Sequence, residues 1–398
     1  MAGPPRDGQA EATRLIRAGA GARKLKAATV GPPVQRGSTV LVPEASALYD
    51  ASHVTYGRNG LAGHDALIEG LCELEAATHV QLYGSGLAAL TGAILSLVGA
   101  GDEVLCVDCI YSPTRRFLDN FAKRFGVTTR YFGSRASAGD LMAMAGPATR
   151  LIVLETPGSL TFEMQDVAAV AAAARARGIT TLLDNTYGAG VLFRPIEHGV
   201  DVSVQALTKY VCGHSDVFMG SAATASPEIA RKLAIGMRDN GWTVSPDDAY
   251  QALRGLRTLA ARIEKAGAGS VTVATWLETQ PEVVRLIHPA LPSHPDHALW
   301  KRDFKGCNGL FSLVLQPAPE VAVFAFLDAL ELFGLGFSWG GFESLAIHCD
   351  PQLKTARTVE PWPVAEGPLI RLHVGLENPV DLIADLRRGL DAFAAART

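Results

Sequence analysis

Two stretches of the chain, TTLLDNTYGAG (residues 180–190) and DVSVQALTKYVCGHSD (residues 201–216), indicate its fold. Each opens with an apolar run about as long as a strand and continues into glycine-rich, polar sequence. Similar apolar runs occur upstream at residues 103–107 and 150–155, and helical patterns separate them. Strands that alternate with helices in this way predict an α/β fold with a mostly parallel sheet covered on both faces.

A lysine and an aspartate follow these two strands. Asp184 ends the first strand, and Lys209 lies just past the second. Ligands of parallel sheets bind beyond the carboxyl ends of the strands, so we expect both side chains in one site. A lysine there can form a Schiff base with an aldehyde, while a carboxylate keeps a pyridine nitrogen protonated. The pair therefore predicts a binding site for pyridoxal phosphate.

Length and composition indicate a large globular protein. The chain has 398 residues, of which 48% are hydrophobic and 19% charged, enough for two domains and unlike a disordered chain. The net charge of −4 is spread along the chain, so no nucleic-acid or membrane-surface footprint is expected. Residues 1–20 lack the apolar core of a signal peptide, and no apolar run is long enough to span a bilayer. We expect a cytoplasmic protein with reduced cysteines.

The pattern of the chain changes twice along its length. Residues 1–62 predict an extended N-terminal arm, because proline and glycine interrupt its short β-like runs. Residues 63–256 carry the alternating strands and helices of a large cofactor-binding domain. After a helical stretch at 245–266, residues 257–398 predict a smaller α+β domain.

Cysteine and histidine clusters do not predict a metal site. Cys106 and Cys109 form a single CxxC inside an apolar run, with no second pair, so core packing is expected. His288, His294 and His297 fall in a proline-broken loop without regular ligand spacing.

A glycine turn upstream of the lysine is a candidate phosphate site. In YGSGLAALTGAIL (residues 83–95), Gly84 and Gly86 permit close backbone approach just before a helix begins. A helix start offers free N–H groups and the positive end of the helix dipole. Thr208, adjacent to the lysine, is a candidate hydroxyl contact. The same glycine pattern occurs in ordinary tight turns, so alone it leaves both interpretations open.

Tyr111 and Arg371 are candidates for contacts with the ring and the substrate. Tyr111 follows another strand, where it would either lie flat on a cofactor ring or pack in the core. Arg371 lies inside the apolar run LIRLHV (residues 369–374), so it is either paired structurally or directed into a site. A guanidinium suits a substrate carboxylate because it donates two parallel hydrogen bonds.

Two loops carry the remaining candidates. Ser338 and Trp339 lie in the glycine-rich segment FSWGGFESL (residues 337–345), which could close over the same pocket. Tyr56 and Arg58 lie in the predicted arm, where an arginine is most often a solvated side chain.

Taken in order, these segments resemble the Cys/Met-metabolism family of pyridoxal-phosphate enzymes, a fold-type-I group. The motif TKYVCGHSD (residues 208–216) is highly specific for that family, and the resemblance runs from residue 13 to about residue 386. It implies a seven-stranded, mostly parallel sheet in the large domain, with the smaller C-terminal domain and the arm beside it. It also implies a homotetramer built from catalytic dimers.

The resemblance implies a role for each candidate residue. Lys209 would be the Schiff-base lysine, Asp184 the partner of the pyridine nitrogen, and Arg371 the ligand of the substrate carboxylate. Tyr111 would stack on the ring, contact the substrate and take part in catalysis. At the phosphate, the implied contacts are the backbone amides of Gly86 and Leu87 and the hydroxyl of Thr208. Tyr56 and Arg58 would reach the phosphate of a neighbouring subunit. The substrate would contact Tyr56, Ser338 and Trp339.

Two features favour the β-lyase branch of this family. The loop reads SWGG where γ-acting relatives usually carry SLGG, and Tyr111 is followed by Ser-Pro rather than Gly-Gly or Gly-Cys. The expected reaction is the α,β-elimination of L-cystathionine to L-homocysteine, pyruvate and ammonia, a transsulfuration step in methionine biosynthesis. The alternatives are a γ-acting enzyme (cystathionine γ-lyase, methionine γ-lyase or cystathionine γ-synthase) and a non-catalytic pyridoxal-phosphate-binding regulatory protein.

Three positions depart from the family pattern. Ala206 stands where many members carry a serine, three places before the lysine. Ser159 replaces an asparagine found near the ring oxygen in many relatives, and Tyr187 stands where a tryptophan occurs in relatives.

Overall fold

A computed structural model describes residues 10–17, 29–50, 52–363 and 366–397 of the chain. Within them the chain forms two β-sheets with helices packed around them. Residues 1–9 and 18–28, which belong to the predicted arm, lie outside the described residues.

The larger sheet has seven strands in the order β1–β7–β6–β5–β4–β2–β3. Strands β2 to β6 pair in parallel, whereas β7 is antiparallel to both of its neighbours. The predicted mostly parallel seven-stranded sheet is confirmed. Every residue of β6 and β7 is buried, as expected for strands covered on both faces. The strands are β1 (His79–Tyr83), β2 (Glu103–Val107), β3 (Thr128–Phe132), β4 (Thr149–Glu155), β5 (Thr180–Asp184), β6 (Val202–Gln205) and β7 (Gly220–Thr224).

Helices with polar N-caps connect and cover these strands. The side chains of Ser85, Ser137, Asp166 and Ser226 each accept a hydrogen bond from a backbone N–H in the first turn of the helix that follows. The helices are α1 (Glu11–Arg17), α2 (Ala62–Glu75), α3 (Gly86–Leu97), α4 (Ser112–Arg116), α5 (Ala138–Met144), α6 (Val167–Ala176) and α7 (Pro227–Asp239); α4 continues directly into a π-helical segment, Phe117–Ala122.

The N-terminal residues contain a helix that the sequence pattern did not predict. Leu15 of α1 is buried against the core of the larger sheet, and Arg14 pairs with Glu73 of α2. Tertiary contacts of this kind stabilise a helix too short to form alone. Residues 29–50 and 52–61 are otherwise irregular, with short 3-10 turns and an isolated bridge between Thr39 and Tyr56.

The C-terminal part forms a second, mainly antiparallel sheet in the order β10–β11–β12–β9–β8. Its strands are β8 (Val283–Ile287), β9 (Leu310–Leu315), β10 (Gly334–Leu335), β11 (Leu345–His348) and β12 (Leu369–His373). The helices of this part are α8 (Pro246–Leu277), α9 (His297–Asp303), α10 (Glu320–Asp328), α11 (Asp350–Ala356) and α12 (Pro379–Arg397).

Helix α8 links the two sheets. Leu259 and Ile263 belong to the first hydrophobic core, whereas Val273 and Leu277 belong to the second. The predicted boundary between residues 256 and 257 lies inside this continuous helix, and the division into three parts stays a prediction. Across the described ranges, each helix is too short or too polar to cross a bilayer.

The two cysteines of the CxxC pack in the core, as predicted. Cys106 lies in β2 and is fully buried, and Cys109 is buried just beyond the strand. All six cysteines are free thiols.

A buried carboxylate ties α2 to the strands that lead to the site. Glu75 is fully buried, and its Oε2 accepts a hydrogen bond from Ser203 Oγ at 2.9 Å. The side-chain amides of Asn185 and Gln205 also donate to this carboxylate. Burial raises the pKa of Glu75, and these donors oppose the rise. The end of β5 and the whole of β6 are thereby held against one helix.

The first residue of α3 packs directly on the turn that precedes the lysine. A Cβ placed on Gly86 would lie 2.3 Å from Cβ of Ala206, closer than two carbon atoms can approach without a shift. Glycine is therefore required for this approach of the helix start to the end of β6.

We expect Gly86→Ala to lower the free energy of unfolding by about 1–3 kcal/mol, because the new methyl group overpacks this contact. Urea denaturation measures the change. Gly146→Ala is the matched control, since nothing lies within 4 Å of a Cβ there. Removing the opposing methyl group in the double variant Gly86→Ala, Ala206→Gly should restore part of the loss. Equal stability of Gly86→Ala and the parent protein would contradict the close contact.

Candidate active site

Lys209 lies in the turn after β6 and points at the loop that contains Ser338. Its Nζ donates a hydrogen bond to Ser338 Oγ at 2.8 Å and lies 5.4 Å from the ring centroid of Trp339. Burial, followed by the nearby charge of Arg371, lowers the pKa of Lys209 to about 8, and Asp184 acts in the opposite direction. A lysine with this pKa has a larger fraction of free amine near neutral pH than an ordinary lysine.

Asp184 is a buried carboxylate, and one of its two oxygens already accepts hydrogen bonds. Its Oδ1 accepts hydrogen bonds from the backbone N–H of Thr186 at 3.0 Å and from Thr186 Oγ1 at 2.5 Å. No donor in the described part of the chain bonds to Oδ2. Burial raises the pKa of Asp184, whereas Thr186 and Lys209 lower it. The free oxygen can accept a hydrogen bond from a protonated ring nitrogen.

Sequence reasoning missed Thr186 and Glu155. The Thr186 hydroxyl also accepts a hydrogen bond from the backbone N–H of Ala206 at 2.9 Å, so it joins the end of β5 to the lysine turn. Glu155 ends β4 in register with Asp184. An acidic residue that ends an apolar run beside another such run could have revealed Glu155, but no pattern marks Thr186.

Tyr111 lies at the start of α4, among the charges of the site. Its backbone N–H donates to Glu155 Oε2 at 2.6 Å, and its side chain is half-exposed. Burial raises the pKa of Glu155 well above its ordinary value, and the neighbouring Asp184 adds to the rise. The pKa of the Tyr111 phenol is also raised, mainly by burial and then by the two carboxylates. The phenol is therefore close enough to Asp184 and Glu155 to be affected by their charges.

Strand β12 holds the loop that covers the lysine. Arg371 is buried, and its Nη2 donates to the carbonyl oxygens of Phe337 at 2.8 Å and Ser338 at 3.1 Å. Two residues further, the buried His373 accepts a hydrogen bond from the backbone N–H of Gly340 at its Nε2, at 3.0 Å. Sequence reasoning missed His373, because its partners lie in a segment distant along the chain.

The start of α3 presents unpaired backbone donors. Ser85 caps the helix by accepting a hydrogen bond from Ala88 N, whereas no acceptor in the described ranges bonds to the amides of Gly86 and Leu87. These two N–H groups can bind a phosphate. The hydroxyl of Thr208 instead donates to the carbonyl of Met219 at 3.1 Å and accepts from its N–H at 2.9 Å. Its predicted phosphate contact would require this hydroxyl to turn.

Comparison with known proteins assigns the chain to a family. Residues 12–391 match the model of a family described as Cys/Met metabolism PLP-dependent enzymes. The chain belongs to this family. Its cofactor is therefore pyridoxal phosphate, as the lysine and aspartate predicted.

Individual proteins match over nearly their whole length. The chain is 46% identical to a putative cystathionine beta-lyase of Rhizobium johnstonii, with 92% of each chain covered. It is 43% identical to a cystathionine beta-lyase of Bordetella avium, over 92% of this chain and 93% of the relative. A crystal structure of cystathionine gamma synthase from Xanthomonas oryzae pv. oryzae superposes with a TM-score of 0.90 at 31% identity, covering 98% of this chain and 99% of the other.

The residues of this Cys/Met-metabolism enzyme fit its cofactor. The structure provides an amine at Lys209, a carboxylate oxygen of Asp184 without a donor among the described residues, and two unpaired amides at Gly86 and Leu87. These groups match an aldehyde, a ring nitrogen and a phosphate in turn. The roles of the individual residues stay predictions.

Tyr56 and Arg58 are the two predicted site residues that lie elsewhere in this Cys/Met-metabolism enzyme. Arg58 donates to the carbonyl of Arg238 at 3.3 Å, and its guanidinium lies 5.7 Å from the ring centroid of Tyr56. Neither side chain contacts Lys209 or Asp184 within the described residues. Their predicted role at the site of a neighbouring subunit remains a prediction.

Two of the departures from the family pattern have a clear structural setting. Tyr187 is buried, and its ring packs edge-on against Phe162 and Phe304. Ser159 donates its backbone N–H to the carbonyl of Cys109 at 2.9 Å.

We expect Lys209 in the cofactor-free protein to react with an amine reagent with a midpoint near pH 8, well below the ordinary lysine value of 10.5. The Arg371→Leu change should move the midpoint up, because removing a nearby positive charge favours the ammonium form. The Asp184→Asn change should move it down, because a negative charge is lost. Mass spectrometry of the peptide that contains Lys209 measures the extent of labelling. The Lys209→Ala variant gives the background labelling of other amines. A midpoint near 10.5 would contradict the buried setting.

Proposed function

We propose that the protein is a carbon–sulfur β-lyase that cleaves L-cystathionine to L-homocysteine, pyruvate and ammonia. The observation that carries the proposal is the contact of Lys209 Nζ with Ser338 Oγ, beside Trp339 and Arg371. The pocket therefore brings together a base (Lys209), the loop that carries Trp339, and a guanidinium (Arg371) that can bind a carboxylate. The two cystathionine beta-lyases among the relatives support the same reaction.

Arg371 binds and orients the amino-acid end of the substrate. Its Nη2 is held by two loop carbonyls, and no acceptor in the described residues bonds to its other nitrogens. These nitrogens can donate to the substrate carboxylate in a pocket where burial strengthens the interaction. The substrate Cα is thereby directed towards Lys209.

Lys209 moves the protons. Bound pyridoxal phosphate supplies an electron sink for the charge that develops at Cα. The Lys209 amine removes the Cα proton, and Ser338 holds Nζ in position through its hydrogen bond. Asp184 keeps a proton on the ring nitrogen, and Lys209 or Tyr111 delivers a proton to the leaving sulfur. Release of the three-carbon fragment to water gives pyruvate and ammonia.

A γ-acting reaction is the second candidate. The observation in its favour is the close structural match to a cystathionine gamma synthase. Such chemistry needs a further proton transfer at Cβ, and the same lysine could supply it. A non-catalytic regulatory role is disfavoured, because the pocket retains the residues that the proposed chemistry needs. These are Lys209, Asp184, Tyr111 and Arg371.

The pyridoxal-phosphate-loaded protein should convert L-cystathionine to pyruvate and free homocysteine, because the proposed loop and base favour cleavage at Cβ. Chromatographic identification of the keto acid measures this directly. Lys209→Ala should lower turnover by about a hundredfold to ten-thousandfold, as expected when a proton-transfer group is lost. Formation of 2-oxobutyrate and cysteine would instead move the protein to the γ-acting candidate.

A homotetramer of catalytic dimers is part of the same proposal. Tyr56 and Arg58 lie away from the Lys209 of their own chain, and the neighbouring Tyr49 of the arm is almost fully exposed. An exposed aromatic arm is typical of a segment that packs on a partner. We propose that the arm completes the phosphate site of a second copy.

Mixing two inactive variants tests this exchange. Arg58→Ala and Lys209→Ala each damage every site of their own assemblies, but a hybrid dimer contains one site with both wild-type residues. After unfolding and co-refolding, random pairing should restore about a quarter of wild-type activity. Each variant refolded alone is the control. No recovery in the mixture would place Arg58 outside the neighbouring site.

The proposal also includes the division of the chain into domains and the cellular compartment of the protein. The second hydrophobic core contains only residues from 273 onwards, which supports a separate C-terminal domain. The six free thiols support a reducing, cytoplasmic compartment. A role in transsulfuration and methionine biosynthesis follows if L-cystathionine is the substrate.

A further inference from the structure

The carboxyl ends of β4 and β5 place two carboxyl groups side by side. Glu155 is the last residue of β4 and Asp184 the last residue of β5, and the two are paired in the strand register. Residues paired in this way on neighbouring strands direct their side chains to the same face of a sheet. Asp184 is the proposed partner of the ring nitrogen, whereas Glu155 has no part in the proposed reaction.

Glu155 accepts a hydrogen bond from the backbone of Tyr111. Its Oε2 lies 2.6 Å from the Tyr111 nitrogen, whose N–H donates to it. The carbonyl oxygen of Tyr111 accepts hydrogen bonds from the N–H groups of Thr114 and Arg115 in the first turn of α4. The peptide groups on the two sides of the Tyr111 Cα are therefore fixed, one by the helix and the other by Glu155.

The phenol ring of Tyr111 has no comparable anchor of its own. No group in the described ranges forms a hydrogen bond with its hydroxyl, and the side chain is half-exposed. The rotamers open to a side chain depend on the backbone that carries it, so the position of this ring depends on the two backbone anchors. Loss of the Glu155 carboxyl group would remove one of them.

The surroundings of Glu155 favour its un-ionised form. Two neighbouring carboxyl groups that are shielded from water do not both ionise readily, so one of them takes up a proton. Asp184 is the better stabilised as a carboxylate, through two hydrogen bonds from Thr186 and the charge of Lys209. In the described part of the chain, Glu155 has a single donor, the Tyr111 N–H. Burial and then Asp184 accordingly raise the pKa of Glu155 well above its ordinary value.

The remaining charged groups that act on Glu155 largely offset each other. Arg357 and Glu163 form an ion pair, with Nη1 of the arginine 2.8 Å from Oε1 of the glutamate. After burial and Asp184, Arg357 lowers the pKa of Glu155, whereas Glu163 raises it. The nearby thiols are un-ionised because burial raises their pKa values, and they belong to Cys106 and Cys109. No cation is therefore left to hold Glu155 as a carboxylate among the described residues.

We propose that Glu155 is a positioning residue, whose un-ionised carboxyl group fixes the backbone of Tyr111 and thereby places the phenol that the reaction uses. This rests on the proposed β-lyase function. Glu155 acts through Tyr111 rather than on the substrate. Its oxygen holds the Tyr111 N–H, and the absence of a second negative charge leaves Asp184 ionised for the ring nitrogen.

Three substitutions separate the hydrogen-bond acceptor from the charge. Glu155→Gln keeps an oxygen for the Tyr111 N–H without a charge, so kcat/KM of the holoenzyme for L-cystathionine should fall by no more than about threefold. Glu155→Ala removes the acceptor and should lower kcat/KM by about tenfold to a hundredfold, the effect of a displaced reacting group. Glu155→Asp is one methylene too short and should resemble Glu155→Ala. Equal kcat/KM in the wild type and Glu155→Ala would overturn the proposal.

A double-mutant cycle shows whether Glu155 acts through the ring of Tyr111. Tyr111→Ala removes the ring but keeps the backbone N–H that Glu155 holds. Adding Glu155→Ala to Tyr111→Ala should therefore change kcat/KM by less than about twofold, whereas the loss of stability to urea should be the same in both backgrounds. A structural role alone would lower kcat/KM equally with and without the ring, and that result would overturn the proposal.

A measurement without turnover separates this inference from the proposed reaction. The visible circular dichroism of bound pyridoxal phosphate reports an aromatic ring stacked on it. Glu155→Ala should move this signal towards that of Tyr111→Ala, and Glu155→Gln should retain the wild-type signal. Thr149→Val is the matched control, because it removes a buried hydroxyl that donates to Glu103 at the opposite end of β4. This control should leave the signal unchanged.

The two proposals fail in different ways. If L-cystathionine yields no keto acid with the wild type, the β-lyase function fails, and the dichroism still decides the role of Glu155. A wild-type signal in Glu155→Ala would overturn the positioning role, whatever the substrate.

Discussion

The hydroxyl of Thr186 holds together the two chain segments that carry the proposed chemistry. It donates a hydrogen bond to Asp184 at the end of β5 and accepts one from Ala206, in the turn that leads to Lys209. Parallel strands bring their carboxyl ends to one edge, but that arrangement alone leaves the side chains free to shift. The two hydrogen bonds of this hydroxyl fix the position of the aspartate relative to the lysine turn. Catalytic groups require this precision, since small displacements reduce rates strongly.

The second sheet supplies two elements that the first lacks. One is the support for the loop that covers Lys209, and the other is the guanidinium proposed to bind the substrate carboxylate. On β12, Arg371 and His373 both hold the loop above Lys209, Arg371 through carbonyl oxygens and His373 through a backbone N–H. Burial lowers the pKa of His373 to about 3, so its ring is neutral and can accept that hydrogen bond over the whole physiological range. Because α8 packs in both cores, one continuous helix joins the sheet that carries the lysine turn to the sheet that holds the loop.

The parts of this architecture that sequence predicts are those with local patterns. Asp184 and Lys209 each follow an apolar run, so their strands and their shared edge were predictable. Helix α1 was not, because its stability comes from Leu15 packing on a distant core rather than from its own pattern. The role of His373 was equally hidden, since its partner Gly340 lies in a separate loop. Chain order predicts which groups meet at a sheet edge, but not which buried side chains hold the covering loop in place.

The charges around Lys209 show why its site needs a carboxylate that is held by hydrogen bonds. Burial and the nearby guanidinium of Arg371 lower the pKa of Lys209, whereas Asp184 acts in the opposite direction. Burial also raises the pKa of Asp184, and the two hydrogen bonds from Thr186 and the charge of Lys209 oppose that rise. Thr186 therefore does more than position Asp184, because its two donors favour the ionised carboxylate that a protonated ring nitrogen requires.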